Sequence, residues 1–335
     1  MTRFAVDATA VSPVGKGISR VMRGAAEALA RRGVDVVALV QPGVALEASS
    51  ESVHARPAVL WEQVGLARAA RRFDCVLTPT ERLPVAGRGR FVVWLYETPA
   101  RRLAANRGAY QRGSDLLTRV VWKRSLQRAA AVVAGSHATA REVDAELPGL
   151  HVRVIYPGLD PEFSPGVGPR GEPYVFHLGS SDPRDNTEAV LRAVALARMR
   201  LPIRLVVGGV TARVDAGAEY TGRISDEELV TLYRGAAAYL DASLFEGFGY
   251  QALEAMACGT PFVGSNATSI PEVVGDAGLL VDPRDPEALA DALVHVLEEP
   301  GLADELRRRG LERAREFTWE RTAEQFAALF EELTA

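Results

Sequence analysis

The sequence predicts an α/β protein with two domains, each built from alternating strands and helices around a parallel sheet. Three observations lead to this prediction. Short valine-rich apolar runs alternate with amphipathic stretches of helical period in both halves of the chain. A segment with five prolines and four glycines, residues 156–173, separates the two halves. At 335 residues, the chain is long enough to form two ordinary hydrophobic cores.

The composition is that of a globular protein, with 47% apolar and 24% charged residues. No apolar run reaches the roughly 18 residues of a membrane span, and the N-terminus enters a strand-like run without a secretory pattern. Cys75 and Cys258 lie in apolar runs far apart, which indicates buried free thiols in a reducing compartment. No His/Cys cluster has metal-ligand spacing. We therefore predict a cytoplasmic protein without a metal site.

Charge is distributed unevenly along the chain. Residues 1–160 carry 23 Lys and Arg against 14 Asp and Glu, whereas residues 161–335 carry 16 against 29. Residues 101–128 are helical in pattern and hold eight Arg and Lys against one Asp. The basic half can attract the acidic half, or it can face an anionic acceptor or membrane surface. Both interpretations stay open, including peripheral contact of 101–128 with the inner membrane face; no nucleic-acid partner is predicted.

The first half begins with a strand at 4–11, a turn SPVGKG, a helix at 18–31 and a strand VDVVALV. This strand–glycine turn–helix–strand unit predicts a right-handed crossover. Its turn, with Gly15 and Gly17, can bind phosphate or simply form a tight corner. The rest of this half is predicted to contain helices at 61–72 and 101–128, strands at 74–79, 90–97 and 130–136, and a helix that begins at His137. The segment VRVIYPGLD at 152–160 ends the half.

The second half repeats the same alternation after the proline-rich segment. Its predicted strands are 174–180, 203–209, AYLDAS, PFVGS and GLLVD, and EYTGRI at 219–224 is predicted as a strand-like turn. Its predicted helices are 186–199, 226–237, 251–258, 286–298, 301–315 and 319–333.

The most informative stretch is 241–261, DASLFEGFGYQALEAMACGTP. Gly247 and Gly249 allow a ligand to approach the backbone and leave φ free. A short helix follows at once, and Gly259 stands where a glycine commonly ends a helix. The first turn of that helix, with its positive dipole end, suits a diphosphate.

This stretch resembles the C-terminal motif of the retaining glycosyltransferases of family 4, which have the GT-B fold. Their string "PSxxEGFGLPxLEAMAxGxPVVxS" reads here as ASLFEGFGYQALEAMACGTPFVGS, with Glu246 and Glu254 at the two acidic positions. Ala242 replaces the usual proline, and Tyr250 and Gln251 replace the usual Leu-Pro. The following SIPEVVGDAGLLVDPRDPEALADAL also fits the family's continuation.

The N-terminal segment is similar to the same family as well. The family string "IDxRxLxxxxTGIGRYxxxLxxALxxxG" reads here as VDATAVSPVGKGISRVMRGAAEALARRG, with Lys16 in the loop. The resemblance implies two Rossmann-like domains facing a cleft, with a C-terminal helix that crosses back to the N-terminal domain. The implied divisions are an acceptor-side domain at 1–157, a linker at 158–172, a nucleotide-sugar domain at 173–318 and the returning helix at 319–335.

The resemblance also implies the substrates and the roles of individual residues. The donor would be a GDP-, UDP- or dTDP-sugar, no cofactor or metal would be needed, and the acceptor would be a saccharide, a lipid-linked saccharide or a small molecule. Glu254 would bind the ribose and Glu246 the transferred sugar, while Arg184 and Lys16 would stabilise the leaving diphosphate. The remaining predicted contacts are Gly247, Phe248, Gly249, Tyr250, Gly15, Gly17 and Ser180 for the sugar and phosphates, Arg223 and Ile224 for the base, and Tyr96 and Glu97 on the acceptor side.

Two departures from the family pattern keep other functions open. The usual phosphate-binding lysine is replaced by Asp185, for which we predict a capping-box role with Glu188, and the usual His near the sugar is replaced by Tyr96. A non-catalytic subunit that binds nucleotide or a partner transferase is therefore an alternative. A GT-B phosphorylase or epimerase is disfavoured because residues 161–335 contain no lysine to hold pyridoxal phosphate and because the Glu246–Glu254 string is transferase-like. A Rossmann oxidoreductase is disfavoured because the first turn is not G-x-G-x-x-G.

Overall fold

A computed structural model describes residues 2–12, 17–86, 89–99, 118, 121–169, 171–210 and 217–335. The chain divides into two compact units. The first comprises Met1–Gly158 together with Phe317–Ala335, and the second comprises Leu159–Glu316. Both are α/β units with a parallel sheet, as the sequence predicts.

The first unit contains a seven-stranded sheet in the order β3-β2-β1-β4-β5-β6-β7, with every neighbouring pair parallel. Strands β2 and β3 lie on one side of β1, and β4 to β7 lie on its other side. The gap between β1 and β4 is therefore the topological switch point. The strands are β1 (Phe4–Asp7), β2 (Val36–Val40), β3 (Ser50–Ser52), β4 (Cys75–Thr78), β5 (Phe91–Leu95), β6 (Ala131–Ala134) and β7 (Val152–Val154).

The second unit contains a six-stranded parallel sheet in the order β10-β9-β8-β11-β12-β13. Its switch point lies between β8 and β11. The strands are β8 (Tyr174–Leu178), β9 (Arg204–Gly208), β10 (Glu219–Gly222), β11 (Ala238–Asp241), β12 (Phe262–Ser265) and β13 (Gly278–Val281).

Helices connect the strands in both units. In the first unit they are α1 (Ile18–Arg31), α2 (Ala58–Leu60), α3 (Leu66–Ala69) and α4 (His137–Glu146), with a π-helical turn Trp61–Gly65 between α2 and α3. In the second unit they are α5 (Thr187–Ala197), α6 (Asp226–Gly235), α7 (Tyr250–Ala257), α8 (Ile270–Val274), α9 (Pro286–Glu298) and α10 (Leu302–Ala314). The last helix, α11 (Trp319–Thr334), belongs to the first unit.

The central strands are apolar because helices cover both faces of a parallel sheet. All five residues of β2 and all five of β8 are buried. Strand β3 differs, since its sequence Ser-Glu-Ser is exposed or half-exposed at the edge of the sheet. That polar edge explains why the hydrophobic pattern did not predict β3.

Helix α11 packs against α1 through aromatic side chains. A Cβ atom at Gly24 of α1 would overlap the indole ring of Trp319, so the missing side chain allows this close approach. Phe330 stacks on Phe4 with ring centroids 4.6 Å apart, and Phe326 meets Trp94 edge-on at 4.7 Å. The final 19 residues therefore complete the core of a unit whose other residues all precede position 159.

Three further predictions concern particular segments. Cys75 and Cys258 are both buried free thiols, as predicted. Within 101–128, residues 121–128 are helical, whereas 101–117, 119 and 120 lie outside the described residues. No helix among the described residues has the length and apolar character needed to cross a membrane.

Candidate functional site

The residues of the central motif lie at the switch point of the second sheet. The segment 241–249 follows β11, and the segment 179–186 follows β8, which is the neighbouring strand. The backbone N–H of Leu244 donates to the carbonyl of Arg184 at 2.7 Å, which joins the two segments. Ligands of open parallel sheets bind at this carboxyl edge.

A glycine turn begins α7. Gly249 has φ of 97°, a left-handed conformation that favours glycine, and it is the N-cap residue of the helix. Since glycine has no side chain to cap the first turn, a ligand can approach the helix N-terminus there. At the other end, Gly259 has φ of 81° and follows the C-cap residue Cys258. The predicted turn, helix and glycine stop are therefore all present.

Glu254 lies in the middle of α7 and is only 3% exposed. The hydroxyl of Tyr233 donates to Glu254 Oε2 at 3.2 Å. Burial, reinforced by the Glu254 charge, raises the pKa of Tyr233 well above its usual value, so the phenol keeps its proton and acts as the donor. The carboxylate is thus held in a defined position on the helix that follows the glycine turn.

Glu246 is fixed through its backbone to the start of α8. Its N–H donates to Thr268 Oγ1 at 3.0 Å, and the hydroxyl of Ser269 donates to its carbonyl at 2.8 Å. Burial raises the pKa of the Glu246 carboxyl to about 8, and the nearby acids Asp241 and Asp185 act in the same direction. At neutral pH, this carboxyl is therefore mainly protonated.

Arg184 lies beside Glu246, but its guanidinium is hydrogen-bonded to Asp182, an acid that was not among the predicted site residues. Its guanidinium Nη2 donates to Asp182 Oδ2 at 2.7 Å, and Asp182 Oδ1 also accepts from the Arg184 backbone N–H at 3.0 Å. The guanidinium carbon lies 5.5 Å from the ring centroid of Phe245. These contacts fix Arg184, the cation predicted to bind phosphate, in a short 3₁₀ turn, Pro183–Asp185.

The predicted capping box of Asp185 and Glu188 is wrong. The N-cap residue of α5 is Asn186, whose φ of 53° is left-handed, so Asp185 belongs to the preceding 3₁₀ turn. The Asn186 amide donates to the carbonyls of Ala242 and Pro283 at 3.1 Å and 2.8 Å. Asp185 instead accepts from Ser180, and burial raises the pKa of its carboxyl.

The predicted base-binding pair, Arg223 and Ile224, follows β10 at the same edge of the sheet. A Cβ atom at Gly208 would lie 2.9 Å from Ile224 Cδ1, so Ile224 packs against the carboxyl end of β9. The N–H of Gly209 donates to the carbonyl of Gly222 at 2.8 Å. The second unit therefore brings the predicted residues to one edge of its sheet.

The first unit has its own cavity at the switch point between β1 and β4. Its volume is about 530 Å³, and both Tyr96 and Glu97 line it. Gly17 is the N-cap residue of α1 with φ of 58°, whereas Gly15 and Lys16 lie outside the described residues. Among the described residues, no group of three His, Cys, Asp or Glu side chains has the geometry to hold a metal ion.

Sequence reasoning missed several acids of these two sites. Asp182 and Asp241 are close to Glu246 in the second unit. Asp7, Glu62 and Glu81 line the cavity of the first unit. The positions of most of these acids at or soon after strand ends were the available signal, but no local motif distinguishes them from other acids.

Comparison with known families gives two matches that together span most of the chain. A model described as Glycosyltransferase Family 4 matches residues 15–163, and one described as Glycosyl transferases group 1 matches residues 172–299.

Similar curated proteins include the O-antigen chain mannosyltransferase B of Escherichia coli, 37% identical over 45% of this chain and 44% of that protein. The MMP alpha-(1->4)-mannosyltransferase of Mycolicibacterium hassiacum is 33% identical over 60% of this chain and 53% of that protein. This chain thus spans about half the length of these relatives.

Similar solved structures cover nearly the whole chain. Sucrose-phosphate synthase from Thermosynechococcus elongatus superposes with a TM-score of 0.81 at 23% identity, covering 99% of each chain. Anabaena HepE in complex with UDP-glucose gives a TM-score of 0.74 at 16% identity, covering 99% of this chain and 100% of that one. At these identities, the likeness establishes the fold, which is the GT-B-like pair of α/β units.

Proposed function

This chain belongs to the family 4 glycosyltransferases, and on that premise we propose that it transfers a sugar from a nucleotide-diphosphate sugar to an acceptor hydroxyl. One observation carries the proposal. The glycine turn before α7 is bracketed by two carboxyls, Glu246 and the buried Glu254, at the switch point of a parallel sheet.

The donor's nucleoside is assigned to the second unit. Glu254 accepts hydrogen bonds from the two ribose hydroxyls, because a carboxylate offers two acceptor oxygens. Its contact with Tyr233 occupies Oε2 on one side and orients the group. Arg223 and Ile224 supply main-chain contacts to the base. The base is guanine, uracil or thymine, and HepE, which was solved with UDP-glucose, gives one precedent for the uridine nucleotide.

The diphosphate is assigned to the N-terminus of α7 and to Arg184. Backbone N–H groups of Gly247, Phe248, Gly249 and Tyr250 face the phosphates and the sugar, where the helix dipole favours negative charge. Arg184 is the cation supplied by the second unit. Lys16 is the proposed second cation, and it lies outside the described residues. Helix dipole and cations together stabilise the diphosphate as it leaves.

The transferred sugar is assigned to Glu246. Because its carboxyl is protonated near neutral pH, it can donate one hydrogen bond to a sugar hydroxyl and accept another. It also adds little repulsion against the diphosphate in that form. Reaction with retention then proceeds on one face of the sugar, where the acceptor oxygen bonds to the anomeric carbon, the bond to the diphosphate breaks, and the leaving phosphate takes the acceptor proton.

The acceptor is assigned to the cavity of the first unit. Tyr96 and Glu97 line this cavity, and they occupy the positions where the family often has a histidine pair or a His-Asp pair. Tyr96 can donate a hydrogen bond without carrying charge near neutral pH. Peripheral contact of residues 101–128 with a membrane is part of the proposal for a lipid-linked acceptor.

The decisive experiment is calorimetric titration of the full chain with GDP, UDP and dTDP, followed by turnover assays with the matching sugars. We expect one nucleotide to bind, and Glu254→Ala to weaken it by about 1–3 kcal/mol, or roughly 5- to 150-fold. Glu312→Ala is the matched control, since Glu312 is an exposed glutamate on a helix of the same unit. Unchanged affinity in Glu254→Ala would remove this residue from the site.

A second function is favoured by one specific observation. Asp185 is a half-buried acid where the family usually places a phosphate-binding lysine. A non-catalytic subunit that binds nucleotide or a partner transferase would tolerate this change. Binding of a nucleotide diphosphate without turnover of any tested sugar, in the presence of saccharide acceptors, would select this function over transfer.

A further inference from the structure

The cavity of the first unit has the dimensions of a small-molecule pocket. At about 530 Å³, it falls within the roughly 300–1,000 Å³ of typical ligand sites, and it lies at the switch point of its sheet. Trp61 and the half-buried Tyr96 form its aromatic wall, whereas Trp94, which also adjoins it, is fully buried. Aromatic faces beside a few polar groups are the usual lining of a pocket that orients an organic ligand.

Among the described residues, the charged part of this cavity wall consists mainly of acids. Asp7, Glu62 and Glu81 are 3%, 8% and 4% exposed, and the half-buried Glu97 adds a fourth carboxyl. The cations on the described wall are Arg56, which is exposed, and Arg82. The described part of the wall therefore has four carboxyls and two guanidiniums.

Arg82 forms a salt bridge with one of these acids, Glu62. Its Nη2 donates to Glu62 Oε1 at 2.7 Å, with side chains 16% and 10% exposed. The hydroxyl of Thr80 donates to the same oxygen at 3.3 Å. An anionic ligand would have to compete with a nearly buried carboxylate for this guanidinium.

Asp7 acts as a support for the pocket wall. Its Oδ1 accepts from the indole Nε1 of Trp61 at 3.2 Å and from the hydroxyl of Thr9 at 2.8 Å, while Oδ2 accepts from the hydroxyl of Thr78 at 2.8 Å. Burial raises the pKa of this carboxyl. These bonds fix the Trp61 ring at the start of the π-helical turn.

The second oxygen of Glu62 is different. Within the described part of the chain, no group hydrogen-bonds Glu62 Oε2, although that atom is buried and the residue lines the cavity. A buried acceptor without a donor is costly, so a ligand hydroxyl that donates to it gains more than the same contact would at the surface. Glu62 also lies on the π-helical turn Trp61–Gly65, an irregularity that is frequent at functional sites.

We propose that this cavity recognises the acceptor as a neutral polyhydroxylated ring, a saccharide without a phosphate at the recognised residue, and that Glu62 Oε2 accepts a hydrogen bond from one of its hydroxyls. The inference rests on the proposed transfer reaction and names its acceptor class. A hydroxyl donor matches the buried Glu62 Oε2, whereas a phosphate dianion would meet the carboxyls of the described wall in a partly dry site.

The first test compares the binding of neutral and phosphorylated glycosides to the wild-type protein. Saturation-transfer NMR and competition titrations on the full chain compare the methyl α-glycosides of mannose, glucose and galactose with their 6-phosphates. We expect at least one neutral glycoside to bind, and its 6-phosphate to bind at least roughly tenfold more weakly, which is about 1.4 kcal/mol. Absence of binding by all three neutral glycosides, or equal or tighter binding of a phosphate, would overturn the proposal.

A variant then tests the assigned residue. Glu62→Gln, which keeps the size of the side chain, should weaken the bound glycoside by at least about fivefold and raise the acceptor KM without changing the donor KM. Glu47→Gln is the control, because Glu47 is an exposed carboxylate of the same unit that pairs with Arg31. An unchanged glycoside affinity in a folded Glu62→Gln protein would remove Glu62 from the acceptor site.

Nucleotide titration on the same preparations separates this inference from the proposed function. If a nucleotide diphosphate binds and its sugar is turned over while neutral glycosides fail, the acceptor class is wrong and the transferase stands. If no nucleotide diphosphate binds, the proposed function itself fails. The two failures are therefore distinguishable in one set of samples.

Discussion

Asp182 restrains the cation that we assign to the donor diphosphate. The Arg184 side chain donates to both carboxylate oxygens of Asp182, at distances from 2.7 to 3.1 Å. A nucleotide diphosphate must share this guanidinium with the carboxylate or displace it. We therefore expect Asp182→Asn to bind the nucleotide diphosphate more tightly than the wild-type protein.

The size of this effect follows from the exposure of the pair. The side chains of Arg184 and Asp182 are 19% and 24% exposed, so the pair is intermediate between a surface ion pair and a buried one. A surface ion pair is worth at most about 1 kcal/mol, and a buried charged hydrogen bond is worth about 1.5–3 kcal/mol. A gain of about 1–2 kcal/mol corresponds to roughly 5- to 30-fold tighter binding. The asparagine of the variant keeps an oxygen that can accept from the Arg184 backbone N–H, so the 3₁₀ turn should persist.

The assay is isothermal titration with whichever of GDP, UDP and dTDP binds the wild-type protein, at low and high salt. The gain should shrink as salt rises, because the removed charge acts partly through solvent. Asp291→Asn is the matched control, since Asp291 pairs with Arg200 at 2.7 Å on the exposed surface of the same unit. If Asp182→Asn binds the nucleotide equally or more weakly, the carboxylate positions Arg184 rather than competing with the ligand.

Two further predictions concern pH and metal. The pKa of the Glu246 carboxyl is about 8 in the folded protein and 4.5 in the unfolded chain. The protonated carboxyl therefore contributes its full stabilisation below pH 4.5, and this contribution is lost as pH rises through 8. In scanning calorimetry between about pH 6 and 9, Glu246→Gln should therefore show a flatter decline of Tm than the wild-type protein; parallel curves would contradict the assignment. Turnover should survive EDTA because the helix N-terminus and cations stabilise the diphosphate, and activity that is lost in EDTA and regained with Mn²⁺ would disprove this.

Local patterns predicted the elements whose apolar residues repeat regularly. The central strands and the long helices follow from valine-rich runs and amphipathic periods, and the Glu246–Glu254 motif predicted the glycine turn and the helix that follows it in the second unit. Strand β3 was missed because Ser50–Ser52 contains no apolar residue. Helix α8 was missed because a five-residue helix is too short for a periodic signal.

The missing parts of the candidate sites depend on topology rather than on local sequence. Glu62 and Arg82 are 20 residues apart, and Asp7 and Thr78 are 71 apart, yet each pair is hydrogen-bonded at one edge of the first sheet. The incorrect cap at Asp185 has a local cause. Because Asn186 has a left-handed backbone, the helix begins one residue later than the capping-box spacing predicts. The spacing alone contains no information about that conformation.

The position of α11 has a consequence for synthesis of the chain. The second unit is an insertion, because the first unit resumes at Phe317 after the second has ended at Glu316. A ribosome therefore delivers every residue of the inserted unit before it delivers the aromatic side chains that close the first core. Although domains commonly mature in N- to C-terminal order, the N-terminal unit of this protein can reach its complete fold only after the last helix has been made.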